Sequence, residues 1–213
     1  MNKLQIQDVT IEWLGHASFR ITNNQSGRKT YIDPFKIDVK EPADIILITH
    51  SHYDHFSQPD INKIITPKTR IYAPKDVALD NKFVVEPGFF FRINDHLKVE
   101  VLPAYNLSKP FHPKDKKWVS YKMTFNGSVT IFHTGDSDVI PEFSNLRNID
   151  VLLIPVSGTY VMDAKEAAQL CEKIKPKFAI PMHYGEIVGS KSDAEQFKEL
   201  CKDFCEVVIL DKI

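Results

Sequence analysis

The chain has 213 residues, 43% of them hydrophobic, and its 27 lysines and arginines nearly balance its 28 aspartates and glutamates, for a formal net charge of -1. That length suits one sizeable domain, read here as a single domain over residues 1–213. The even charge excludes a generic nucleic-acid or membrane-surface binder. The longest apolar runs, residues 45–48 and 151–154, are too short to span a bilayer. The first eight residues lack the apolar stretch of a secretory signal, so a cytoplasmic location is expected.

In chain order, residues 9–14, 18–22 and 30–33 are rich in β-branched and aromatic residues and predict short strands. The polar turn Asn23-Asn24-Gln25-Ser26-Gly27 separates the last two. Residues 44–49 form a nearly continuous apolar run, as expected of a strand buried on both faces. Ser57 is placed to cap a short helix to about Ile65, with Pro59 tolerated in its first turn. Strands follow near residues 70–73, 89–93, 97–102, 119–125 and 129–132, and the Asn126-Gly127 pair is a strong hairpin signal.

The last third changes rhythm. Residues 151–154 predict a strand, and residues 163–174 have helical spacing with Ala164, Ala167, Ala168, Cys171 and Ile174 on or near one face. A strand at 177–180, a helix at 192–201 and a strand at 207–210 complete the pattern. Strands first and strand–helix alternation later suit a layered α/β protein with helices covering a mixed sheet core. No internal repeat is visible in the sequence. The cysteines are Cys171, Cys201 and Cys205, with no histidine or further cysteine nearby in sequence to complete a zinc site. They are expected to be buried free thiols packing as small hydrophobes, and the odd count fits a reducing compartment.

Three of the eight histidines fall within six residues: His50, His52 and His55, with Asp54 between. Imidazole nitrogens and carboxylate oxygens are ligands that zinc, iron and manganese accept. The cluster begins where a buried strand ends, so a rigid element delivers it to a loop. In an extended loop His50, His52 and Asp54 share a side. A helical turn starting there would instead send Asp54 and His55 toward a second position. Further ligands are needed, and two later strands end the same way, in His133-Thr134-Gly135-Asp136 and in Pro181-Met182-His183. These loops are expected to converge on one metal site.

The segment Thr49-His50-Ser51-His52-Tyr53-Asp54-His55 resembles the T-H-x-H-x-D-H signature of the metallo-β-lactamase superfamily. Trp13-Leu14-Gly15-His16-Ala17, Ile32-Asp33-Pro34, residues 133–138 and Pro181-Met182-His183-Tyr184-Gly185 are similar to its branch of small metal-dependent hydrolases, with L-ascorbate-6-phosphate lactonase-like and phospholipase-D-like members. The resemblance covers nearly the whole chain. It implies a four-layer αββα sandwich and two divalent ions, zinc first, with manganese or iron as alternatives. It implies His50 and His52 on the first ion, Asp54, His55 and His183 on the second, and Asp136 bridging. Where the family commonly places a third histidine for the first ion, this chain has Asn106. Asn106 as a weak ligand, or His112 from the next loop, would have to serve there. His112 can equally be a plain loop residue or touch substrate.

Such a site implies cleavage of a small ester-type substrate, a phosphodiester or lactone, by a metal-bound hydroxide. Asp54 would orient the attacking group. His16 and His133 are read as proton-handling residues, as outer partners of the ligands, or as purely structural histidines. Asp33, ending its own strand, is read as the buttress of a ligand histidine. Lys109, with Lys114, Lys116, Lys117, Phe111 and Trp118, forms either a cationic aromatic rim for an anionic substrate or a solvated loop. Tyr160 and its neighbours are candidate pocket residues on the family pattern alone. A small-molecule substrate is expected, without nucleic acid or membrane insertion, and a homo-oligomer is allowed. The competing readings are a nuclease, a di-iron redox protein and an inactive scaffold of the same fold. The alteration at Asn106 gives the last its weight.

Overall fold

The computed structural model describes residues 1–93 and 96–213. They divide into two compact units, residues 1–86 with 210–213, and residues 87–209.

The first unit is built on a seven-stranded sheet in sequential order β1 to β7: β1 (Leu4–Ile6), β2 (Val9–Gly15), β3 (Ser18–Asn23), β4 (Lys29–Ile32), β5 (Ile45–Leu47), β6 (Arg70–Ala73) and β7 (Phe83–Val84). The first four strands pair antiparallel, and β4 through β7 pair parallel. Along β2 the residues Val9, Ile11 and Trp13 are buried, alternating with partly exposed Thr10 and Glu12, the period of a strand with one covered face. The helix α1 (Gln58–Ile64) crosses between β5 and β6. It buries Ile61 and Ile64 in a core with Leu14, Tyr31, Ile46, Ile48 and Ile71. The strand predicted over 44–49 is shorter, three residues long, because the chain leaves the sheet beyond Leu47 to present the histidine-rich loop.

Asp60 ties α1 to the segment before it. Its carboxylate accepts the backbone N–H groups of Lys36 at 2.8 Å and Ile37 at 3.2 Å, the Ser57 hydroxyl at 2.6 Å and Lys63 Nζ at 2.7 Å. Ser57, expected to cap the helix with its own side chain, instead donates to Asp60.

The second unit has its own seven-stranded sheet: β8 (Phe90–Ile93), β9 (Leu97–Pro103), β10 (Val119–Phe125), β11 (Val129–His133), β12 (Val151–Pro155), β13 (Phe178–Met182) and β14 (Glu206–Val207). Here too the first four strands pair antiparallel and the last four parallel. The two sheets thus share one order of pairing senses, a repeat in topology that the sequence does not display. Asn126 (φ 49°) and Gly127 (φ 69°) both take the left-handed conformation that the β10–β11 hairpin needs. Strands β11 and β12 are buried at every residue, as parallel central strands are.

The helix α2 (Ala164–Ile174) starts in a capping box. Asp163 accepts the N–H of Lys165 and Glu166 at 2.9 and 2.8 Å, and Glu166 accepts the N–H of Asp163 at 3.0 Å. It ends at Lys175 in left-handed geometry, ahead of Pro176. The helix α3 (Lys191–Cys201) begins one residue before its predicted start, because Asp193 accepts the N–H of Ser190 at 2.7 Å. The last strand is only two residues long, where four were expected.

Burial opposes ionisation of Asp60, but the bonds from Lys63, Ser57 and Lys36 outweigh it and hold its pKa below the ordinary value. Its stabilising contribution is therefore present above the unfolded-state pKa and is lost as pH falls through the lower folded value. Asp60→Asn should cost about 2 kcal/mol at neutral pH. It should cost clearly less near pH 3, read as the difference between urea denaturation curves at the two pH values.

Candidate metal centre

Each sheet carries its chemistry beyond the carboxyl ends of its parallel strands, where open α/β sheets present functional loops. In the first unit, β4 runs into Asp33 and β5 into residues 48–55. The Asp33 carboxylate is fully buried. It accepts the Thr49 N–H at 2.8 Å, the Thr49 hydroxyl at 2.6 Å and His55 Nδ1–H at 2.8 Å. Thr49 has one hydroxyl proton, and Asp33 takes it. In the 2.9 Å contact between Thr49 Oγ1 and His50 Nδ1, the imidazole must then be the donor. His50 and His55 therefore both carry a proton on Nδ1, so as neutral rings they present the lone pair on Nε2.

His50 Nε2 faces His52 Nδ1 at 3.1 Å. His16, in the β2–β3 turn, brings Nε2 to 3.0 Å from Asp54 Oδ2, and ligand atoms of His16, Asp54 and His55 all lie within 4.8 Å of one another. His16 at φ 49° and Asp33 at φ 43° sit in the left-handed region, which non-glycine residues seldom enter.

In the second unit, β11 ends at His133, whose Nδ1 accepts the Gly135 N–H at 3.1 Å and so shapes the turn that presents Asp136. His133 is thereby an orienting residue. Two buried imidazoles converge on one oxygen: His183 Nε2 lies 3.1 Å and His112 Nε2 3.3 Å from Asp136 Oδ2. His183, at φ 61° after β13, contacts Ser157 Oγ through Nδ1 at 3.2 Å. Gly189 lies so close to Ser157 that an added Cβ would fall 2.6 Å from its Cβ, and at φ 67° the position is doubly suited to glycine.

Asn106 is held by hydrogen bonds on both sides of its amide. Its amide NH₂ faces two acceptors, the Asp136 carbonyl at 3.3 Å and Asp138 Oδ1 at 3.2 Å. Its Oδ1 must then face His112, and it accepts that residue's backbone N–H at 3.1 Å and Nδ1–H at 2.9 Å. Asn106 thus fixes His112 in the tautomer whose lone pair is on Nε2. An Nε2 lone pair aimed at a carboxylate oxygen sets acceptor against acceptor, an arrangement that a cation held between them satisfies.

Lys109 is held in ion pairs. Its Nζ lies 2.8 Å from Asp138 Oδ1 and 3.4 Å from Glu166 Oε2. Burial works against its charge, but the bond to Asp138 and the two carboxylates prevail and hold its pKa above the ordinary value. Tyr160 stacks edge-on against Phe111, with ring centroids 4.7 Å apart. Asp138, which also accepts the Leu107 N–H at 2.8 Å, is an organiser that sequence reasoning passed over. So are Thr49 and Ser157. Their common signal is a hydroxyl or carboxylate beside a strand end that already carries a ligand candidate.

The donor set suits divalent metal ions. Nitrogens about 2.05 Å from a tetrahedral zinc lie about 3.3 Å apart, and the Nε2–Nδ1 and Nε2–Oδ2 contacts within each unit measure 3.0–3.3 Å. Outer partners fix the rings' orientation, as ligand histidines require. His50, His52 and Asp54 with His55 would be the ligands in the first unit, and His112, Asp136 and His183 those in the second.

Two substitutions check this wiring without metal. Asp33→Ala strands three buried donors and should lower stability by about 3 kcal/mol in chelator, measured by urea denaturation. Asn106→Ala removes the acceptor for His112 Nδ1–H. Nitrogen-15 NMR should show that ring losing its fixed tautomer while His50 and His55 keep theirs.

Residues 10–183 match the model of the β-lactamase superfamily domain. A UPF0173 protein of Pyrococcus furiosus is 35% identical over 94% of this chain and 95% of its own. A UPF0173 metal-dependent hydrolase of Thermococcus onnurineus is 34% identical over 95% of this chain and 96% of its own. The crystal structure of a Parabacteroides distasonis protein, provisionally assigned as a metal-dependent hydrolase, superposes with a TM-score of 0.87 at 28% identity, covering 98% of each chain. The chain belongs to the metallo-β-lactamase superfamily, with that superfamily's α/β fold, in the UPF0173 branch of metal-dependent hydrolases.

Proposed function

We propose that this protein is a metal-dependent hydrolase that holds two divalent ions, zinc before manganese or iron, and cleaves an ester-type bond in a small molecule, a phosphodiester or a lactone. The observation that carries the reading is the meeting of His112 Nε2 and His183 Nε2 on the buried Asp136 carboxylate, with the His112 lone pair turned toward it. In this reading His50, His52, Asp54 and His55 would be the metal ligands of the first unit, and His112, Asp136 and His183 those of the second. The family supports the ligand set, with His112 replacing the histidine missing at residue 106. The case for an inactive scaffold rested on Asn106, and it loses that support because Asn106 orients a histidine.

Divalent ions held by these residues would supply an acidified water molecule and a Lewis acid for the scissile bond. The chain's own groups do the rest. Asp54 Oδ2 orients the attacking group and accepts its proton, and His16 Nε2–H, 3.0 Å away, donates to that carboxylate and steadies it. Asp33 and Thr49 keep His50 and His55 facing inward by their Nδ1–H bonds. Phe111 and Tyr160 offer an aromatic wall for the substrate's apolar part. With Lys109 committed to Asp138 and Glu166, preference for an anionic group falls to the ions themselves.

The test uses protein stripped by chelator and reloaded with manganese, which carboxylate and imidazole take and thiols take poorly. Two manganese ions per chain are expected, with turnover of an aryl phosphodiester or a small lactone. His112→Ala and Asp136→Ala should each lower bound manganese and reduce turnover by about 100-fold or more. Asn106→Ala should cost about 10-fold in affinity. Full manganese occupancy in Asp136→Ala would remove that residue from the centre. Full metal loading with turnover on neither substrate would leave the ions and discard the ester chemistry.

A further inference from the structure

The three cysteines of the chain meet at the packed faces of α2 and α3. Cys171 lies on the buried stripe of α2, and Cys201 ends α3. The Cys205 N–H bonds to the Cys201 carbonyl at 3.1 Å. That is an i to i+4 step, which places the two side chains on one face. All three Sγ atoms lie within 4.8 Å of one another. Three sulfurs around one ion, with bonds of about 2.3 Å, sit about 4.0 Å apart, so a small contraction closes the set. Cys171 and Cys201 are buried, while Cys205 is half-exposed and opens the cluster to solvent.

Packing alone asks for small apolar groups at these positions and gives no reason for three thiols from two helices to converge. We propose that Cys171, Cys201 and Cys205 form a second metal site, chemically distinct from the histidine–aspartate centre, that binds one soft thiophilic ion and clamps α2 to α3. Thiolate is the ligand that soft ions such as Cu(I) and Zn(II) select over the carboxylates and imidazoles elsewhere in the chain. On binding, each thiol gives up its proton to solvent and forms one sulfur–metal bond, with no change of oxidation state. Hydrogen bonds donated from Cys171, and then from Cys201, hold the Cys205 thiol below its ordinary pKa. The proposal does not depend on the ester chemistry, and α2 and α3 bring the cysteines together without any residue of the hydrolase ligand set.

Cd(II) alone serves as the probe. Its thiolate charge-transfer absorbance in the ultraviolet arises only from sulfur, and this chain has three cysteines. Adding Cd(II) to the reduced, metal-free protein should raise the band until one ion per chain is bound to sulfur, abolish reaction of all three thiols with a disulfide reagent, and raise the melting temperature. Cys205→Ser, at the half-exposed position, should lose most of the band and all of that sulfur-dependent protection. Absence of the band in the native chain overturns the site, with no variant needed. A band unchanged in Cys171→Ser confines the ion to Cys201 and Cys205 and overturns the three-sulfur site.

Discussion

A neutral imidazole has one nitrogen that donates and one that accepts, and a metal-binding histidine must offer the accepting one. In the first unit that decision is made by Asp33. Its buried carboxylate takes the Thr49 hydroxyl proton and the His55 Nδ1 proton, and Thr49 in turn takes the proton of His50 Nδ1. One carboxylate thereby sets the tautomer of two rings. An ionised carboxylate costs several kcal/mol to bury unless it is fully bonded. The Thr49 backbone N–H supplies the third donor. The second unit reaches the same end with neutral groups: Asn106 fixes His112, and Ser157 meets His183.

Delivering these groups strains the backbone. His16, Asp33 and His183 all have positive φ, which costs of order 1 kcal/mol or more for a side chain with a Cβ. The rigid ends of β2, β4 and β13 impose these angles.

The shared order of pairing senses in the two sheets gives each unit the same working edge. Antiparallel strands build one half of each sheet, and parallel strands joined by crossovers, three of them through α1, α2 and α3, build the other, so that successive loops emerge from one end. In the first unit those loops carry Asp33 and residues 50–55, and in the second Asp136, Ser157 and His183. Cys171 and Cys201 lie in the carboxyl-terminal halves of α2 and α3, and Cys205 follows α3.

The sequence by itself determined most of the strands, from their β-branched and aromatic runs, and the helix α2, from its apolar spacing. The short edge strands β1 and β7 carry too few such residues to be read. It also determined the candidate ligands His50, His52, Asp54, His55, Asp136 and His183, because each stands beside a strand end, a position that local pattern can locate. The role of Asp33 was legible for the same reason. Tertiary structure decided what depends on partners distant in the chain. Asn106 reads as a missing ligand until its amide is seen between Asp138 and His112, and Lys109 reads as a free cation until two carboxylates are seen beside it. That the three cysteine sulfurs lie within 4.8 Å of one another appears only once α2 and α3 pack. Which nitrogen of a ring carries the proton, and which charge is already satisfied, are properties of hydrogen-bonded neighbours, and linear spacing holds no record of them.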